Sequence, residues 1–287
     1  MKKLFLLSAV IIAVSCRSGD SHRNEERIVT VSISPFAFFV EKIAGEDFRV
    51  NVMVPAGSDP HLYEPTPARV SALRNSVAYI SNGYLDFEVA WMDRFLSVNR
   101  NLKLLRLADS VNLIKDEEHG HGHGIEADPH FWIAPSEALA IASSVRDLLC
   151  ILNPGMKEKY ERNFSQMADS ISSIHRKAAE MLAPYRGSRI FVFHPTLGYL
   201  ARDYGLEQVA IEKEGKEPSP SMMKEVIDNI KASGARFIFV QKEFDSRHAA
   251  EVAAETGAEL VVISTLSPDW YGDVNGIIEQ IYKSLVN

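Results

Sequence analysis

Cysteine is scarce: the 287 residues contain only Cys16 and Cys150. With Cys16 closing the leader described below, Cys150 has no partner, and the exported chain holds no internal disulfide. A body of this size has core enough without one. Cys150 lies among Val145, Leu148, Leu149 and Ile151 and is expected to be a small buried hydrophobe. Long apolar runs are missing too. The run at 4–14 has eleven residues, whereas a membrane-crossing helix needs about 20. No excess of positive charge exists: 31 basic and 38 acidic side chains give −7. Removing Lys2 and Lys3 leaves 29 against 38, or −9. That balance excludes a nucleic-acid partner, which needs a basic face, and is weakly compatible with attracting cations. There is no HExxH helix motif and no GxSxG nucleophile elbow.

What is present begins with a leader. Lys2 and Lys3, the short apolar run and the small residues after it read as a secretory signal over 1–15. Cys16 follows Ala13-Val14-Ser15, which resembles the bacterial lipobox. That resemblance implies acylation of Cys16 and a lipid anchor on the periplasmic or cell-surface face of a bacterial membrane. Residues 16–27 are the tether, polar enough over 18–27 to be flexible.

With 46% hydrophobic residues, the body can bury one large core or two moderate ones. Eight short β-branched or aromatic runs alternate with helical patterns. They are 28–33, 49–55, 77–81 and 103–107, then 189–194, 208–213, 236–241 and 259–264. Near-continuous apolar strands separated by helices predict parallel sheets covered on both faces. The fold class is therefore α/β, with two lobes of four strands each, over 28–152 and 185–287. The segment 153–184 joins them. Asn153 suits an N-cap and Pro154 the first helical position. Tyr160, Phe164, Met167, Ile171, Ile174, Ala178 and Met181 keep one face apolar, and Pro184 marks the stop. The spacing predicts one stiff helix of about 29 residues, roughly 43 Å long, running along both lobes.

Ligands of open α/β sheets bind beyond the carboxyl ends of the strands, and three histidines fall in such loops. His61 lies in a loop stiffened by Pro60, Pro65 and Pro67; His130 lies in Asp128-Pro129-His130-Phe131-Trp132, ahead of a helix starting near Pro135; His194 closes the fifth strand before Pro195. Three imidazoles suit zinc, copper or nickel better than the oxygen-seeking magnesium and calcium. Residues 116–127 carry His119, His121 and His123 between glycines. Such a tract reads as a metal-collecting loop of weak, exchanging sites near His130. Ordinary imidazoles predict affinity falling steeply below about pH 6.5.

Residues 57–69, 128–132, 194–206, 215–220 and 240–256 resemble the metal-binding solute-binding proteins of bacterial ABC importers, the solute-binding protein 9 family. The resemblance spans nearly the whole mature chain. It implies that His61, His130 and His194 are the metal ligands, the first two from the N-terminal lobe and the third from the C-terminal lobe. Histidine at the third position resembles the zinc branch, since the manganese branch carries a carboxylate there. The cargo implied is Zn2+, captured outside the cytoplasm by a monomer and delivered to an ABC permease and its ATPase. A manganese- or iron-binding subunit of the same kind is the alternative. Many relatives add an aspartate after the last strand, where this chain has Thr265; water, Asp269, Asp273 or a residue of 116–127 are the candidates for a fourth ligand. Three histidines and an open position also describe a zinc-dependent hydrolase, and tethered proteins of this build are sometimes assigned as surface adhesins. Asp59, Glu64 and Asp128 could act as bases in the first case, or equally well cap helices and brace loops.

Overall fold

A computed structural model describes residues 27–115, 127–212, 219–243 and 247–286. Its first half runs β1 (Ile28–Val31), α1 (Ser34–Ala44), β2 (Arg49–Val52), α2 (Pro67–Ala72), β3 (Ser76–Ser81), α3 (Asp86–Val98), β4 (Lys103–Arg106) and α4 (Pro135–Leu152). After α5 (Lys157–Leu182), the second half runs β5 (Arg189–Val192), α6 (Gly198–Tyr204), β6 (Glu207–Ala210), α7 (Pro220–Ser233), β7 (Phe237–Gln241), α8 (Arg247–Thr256), β8 (Glu259–Ile263) and α9 (Trp270–Val286).

Both sheets are parallel, in the orders β2-β1-β3-β4 and β6-β5-β7-β8. The eight apolar runs of the sequence are these eight strands, most of them one to three residues shorter. The first stops at Val31 because Ile33 already flanks α1, with Pro35 in its opening turn. In each order the chain moves to one side of the first strand, then crosses to the other. That creates a topological switch point between β1 and β3, and again between β5 and β7, where ligands of such sheets sit.

The connecting helix departs from the predicted start. Asn153 closes α4 instead, its backbone N–H bonding Leu149 O, while its side-chain amide reaches the Tyr160 hydroxyl at 3.1 Å. Residues Pro154–Met156 form a single tight turn before α5, which has 26 residues and so extends about 39 Å. Tyr160, Met167, Ile171 and Ala178 are buried, with Phe164, Ile174 and Met181 packed beside them. This face lies on α1 and α4 and, further along, on α6 and α9. Cys150, expected in the core, is only half-buried at its edge.

One large core crosses from the first half into the second, joining Phe36, Phe39, Phe131 and Tyr160 to Tyr199, Trp270 and Ile277. A smaller core lies between the second sheet and the helices α7 and α8. The two halves are also bonded directly. Trp270 donates its indole N–H to Trp132 O at 2.6 Å, and Trp132 donates its own to Thr265 O at 2.9 Å. Among the described residues no helix is long and apolar enough to cross a membrane.

Candidate metal centre

Each of the three histidines is delivered by a loop at a carboxyl end, and each loop is fixed by local chemistry. The two Asp-Pro-His triplets form the same turn. Asp59 Oδ1 accepts the N–H of His61 at 2.8 Å, and Asp128 Oδ1 accepts that of His130 at 2.8 Å. Asp at the first position, a proline-fixed φ at the second and a donated N–H at the third make an Asx turn that aims the histidine. In the first loop, Thr66 caps α2 by accepting the N–H of Arg69, and the Arg69 guanidinium binds Val52 O and Met53 O at 2.8 and 3.1 Å. The ends of the loop are thereby tied together. In the second, the side chain of Asn82, just past β3, donates to Pro129 O at 2.9 Å. In the third, Thr196 N–H bonds His194 O at 2.8 Å, Leu197 N–H bonds Gln208 Oε1 at 2.6 Å, and Gln241 at the end of β7 donates to the Thr196 hydroxyl. His194 thus stands at the switch point of the second sheet.

The structure brings His61, His130 and His194 together as one group whose ligand atoms all lie within 4.8 Å of one another. His130 Nε2 is 3.1 Å from His61 Nε2 and 3.2 Å from His194 Nε2. Two nitrogens bound tetrahedrally to one zinc at 2.0–2.1 Å would stand about 3.3 Å apart, so this spacing is close to that of a metal site. His130 and His194 are buried and His61 half-buried.

The opposite nitrogen of every ring faces a carboxylate. His61 Nδ1 is 3.1 Å from Asp86 Oδ2, His130 Nδ1 is 2.7 Å from Asp128 Oδ1, and His194 Nδ1 is 3.3 Å from Glu212 Oε1. A carboxylate accepts, so Nδ1 carries the hydrogen and Nε2 keeps its lone pair. The lone pairs of His61 and His194 Nε2 then both sit beside that of His130, an arrangement that calls for a cation. Burial favours the neutral rings as well. It holds His194 down to about 4 and lowers His130, against the smaller upward pull of Glu212 and Asp128 respectively.

Sequence reasoning did not find Asp86 and Glu212. Asp86 opens α3, where an acidic residue reads as ordinary first-turn chemistry. Glu212 follows β6 by two residues and is buried, which only the assembled fold reveals. Asp59 and Asp128 prove to be turn-formers. Asp269 and Asp273, candidates for a fourth ligand, are engaged around the start of α9: Asp269 Oδ1 accepts from Gly272 N–H and Asp273 Oδ2 from Ser267 N–H, both at 3.1 Å. Neither joins the three-histidine group. Cys16, the signal over 1–15, most of the tether, His119, His121 and His123 lie outside the described residues, as does most of the motif at 215–220.

The profile of the family described as zinc-uptake complex component A, periplasmic, matches residues 29–283. The zinc-binding lipoprotein AdcA of Streptococcus pneumoniae strain R6 is 27% identical over 282 residues. That alignment covers 93% of this chain and 56% of AdcA, so the chain spans about half the length of this curated relative. Among solved structures, a crystal structure of ZnuA is 32% identical, with a TM-score of 0.84 over 90% of this chain and 99% of that one. A zinc-bound ZnuA deletion mutant gives 32% identity and a TM-score of 0.83, over 91% and 98% of the two chains.

Proposed function

The chain belongs to the family of the zinc-uptake complex component A, and from that membership we propose that it captures Zn2+ outside the cytoplasm through His61, His130 and His194 and passes it to an ABC-type permease driven by an ATPase. The observation that carries this reading is the convergence of three Nε2 atoms, each on a ring whose Nδ1 faces a carboxylate. Outer carboxylates of this kind fix the tautomer and raise the basicity of zinc-bound imidazole. Zinc is favoured over manganese because, among the described residues, three nitrogens and no carboxylate make up the group. Water or a residue of 116–127 supplies the fourth position, since Asp269 and Asp273 are bonded around the start of α9.

The role is capture and not turnover. A hydrolase needs a base aimed at a substrate, whereas Asp86, Asp128 and Glu212 are each directed at a histidine Nδ1. Lipidation at Cys16 would keep the protein beside its permease. The tract with His119, His121 and His123 would collect metal nearby: Lys115 and Ala127, which flank it, are joined by an antiparallel bridge immediately before Asp128. Deleting residues 117–124 should leave the tight site intact and lower only the stoichiometry or the uptake at scarce metal.

The deciding experiment is competition between zinc and manganese on the purified, metal-free mature protein. Zinc should displace manganese at equal concentration, one ion per chain at the tight site. Preference for manganese, or no tight binding of either, would overturn the proposal.

A further inference from the structure

His130 belongs to the N-terminal half, yet the turn that carries it is bonded from the other half. The Tyr199 side chain, on α6, is fully buried. Its hydroxyl donates to Asp128 O at 2.7 Å and accepts the Ile114 N–H at 3.1 Å. Ile114 O in turn accepts the Asp128 N–H at 2.9 Å. One phenol therefore ties together the two chain segments that meet at Asp128. The carboxylate of Asp128 is packed from the same side: a Cβ built on Gly198 would lie 2.9 Å from Asp128 Oδ2, closer than carbon tolerates. So Gly198 is the residue that lets α6 approach, and Tyr199 is the residue that bonds. Asp128 itself makes both contacts that aim His130, to its N–H and to its Nδ1.

We propose that Gly198 and Tyr199 of the C-terminal half are positioning residues for zinc, acting through Asp128 to hold His130 in its ligating orientation. The metal site is thus assembled by the docking of the two halves, and docking does more than cover it. This rests on the reading of His130 as a ligand. Tyr199 touches no metal; its effect is carried by one carbonyl and one turn. A nearby contact between the halves avoids Asp128 altogether, since the Ser136 hydroxyl donates to Asp203. That pair separates positioning from docking in general.

The test compares Tyr199→Phe, Gly198→Ala, Ser136→Ala and His130→Ala in the full mature chain. Zinc release is measured by transfer to a chromophoric chelator, and site geometry by the visible absorption of the cobalt-loaded protein. Tyr199→Phe should accelerate zinc loss measurably, by less than the roughly ten- to hundredfold effect of removing a carboxylate that bonds a ligating ring directly, and should alter the cobalt spectrum. Gly198→Ala should act in the same direction. Ser136→Ala should leave both readouts unchanged. An unchanged release rate and spectrum in Tyr199→Phe, or an equal effect from Ser136→Ala, would overturn the inference while His130→Ala still abolished tight binding. Retention of tight zinc binding by His130→Ala would instead remove the reading beneath it.

Discussion

His61 and His130 face each other Nε2 to Nε2 at 3.1 Å, while their Nδ1 atoms turn away to Asp86 and Asp128. With both Nδ1 atoms donating, no hydrogen remains to join the two Nε2 atoms, and a shared cation is what relieves the contact. Replacing either ring by alanine, or His194 likewise, should weaken zinc by orders of magnitude. Isothermal titration on metal-free protein measures this. The same variants should lose most of the zinc-dependent rise in melting temperature, because a ligand that binds only the folded state stabilises it by RT ln(1 + [L]/Kd), about 4 kcal/mol at a thousandfold excess over Kd. A variant at any one position that kept wild-type affinity would remove that residue from the site.

The carboxylates behind the rings should matter less than the rings but measurably. Asp86→Asn and Glu212→Gln keep shape while removing charge. Each should cost roughly ten- to hundredfold in zinc affinity. Glu212 is buried whereas Asp86 is about half-exposed, so Glu212→Gln should show the larger loss, water screening the other. Competition against a zinc-buffering chelator decides the order, and equal affinity in all three proteins would rule out this outer-shell role.

The fold was legible because its signals are local. Strand runs, prolines before helices and the apolar stripe of α5 each act within a few residues, and parallel sheets follow from strands that are apolar on both faces. The three histidines were legible for the same reason: a proline beside each one marks a turn at a strand end. Asp86 and Glu212 were not, because their partners lie 25 and 18 positions away and nothing near them in the chain announces the pairing. Asn153 misled for a physical reason. A cap residue before a proline can end one helix as readily as begin the next, and here the turn Pro154–Met156 intervenes.

Glu88 should prove a structural support of the same site. It is buried, and accepts from Ser32, from Asn82 N–H at 2.9 Å and from Gly83 N–H at 2.6 Å, the segment whose Asn82 side chain holds Pro129 O. An amide in its place has one accepting oxygen and leaves a donor unmatched. Glu88→Gln should therefore destabilise the metal-free protein by about 1–3 kcal/mol, read from denaturant unfolding. Unchanged stability would show that the segment is held by other contacts.

Proton competition should be weaker than three ordinary imidazoles imply. The sequence alone suggested affinity falling steeply below about pH 6.5; burial changes that for His130 and His194, whose folded forms resist protonation, His194 down to about 4. For stability the sign follows directly. Between about 6.5 and 4 the unfolded chain binds protons that folded His194 refuses, so the metal-free protein loses stability as pH falls through that window and is free of this penalty above it. For zinc the consequence is a proton count. At about pH 5.5, where a free imidazole is mostly charged, His194 is already neutral and has no proton to give up, and burial shifts His130 in the same direction. Titrations in buffers of different ionisation enthalpy should therefore report clearly fewer than three protons released per zinc. A release close to three would mean that His130 and His194 titrate as exposed imidazoles, and that the buried, carboxylate-backed arrangement does not persist in solution.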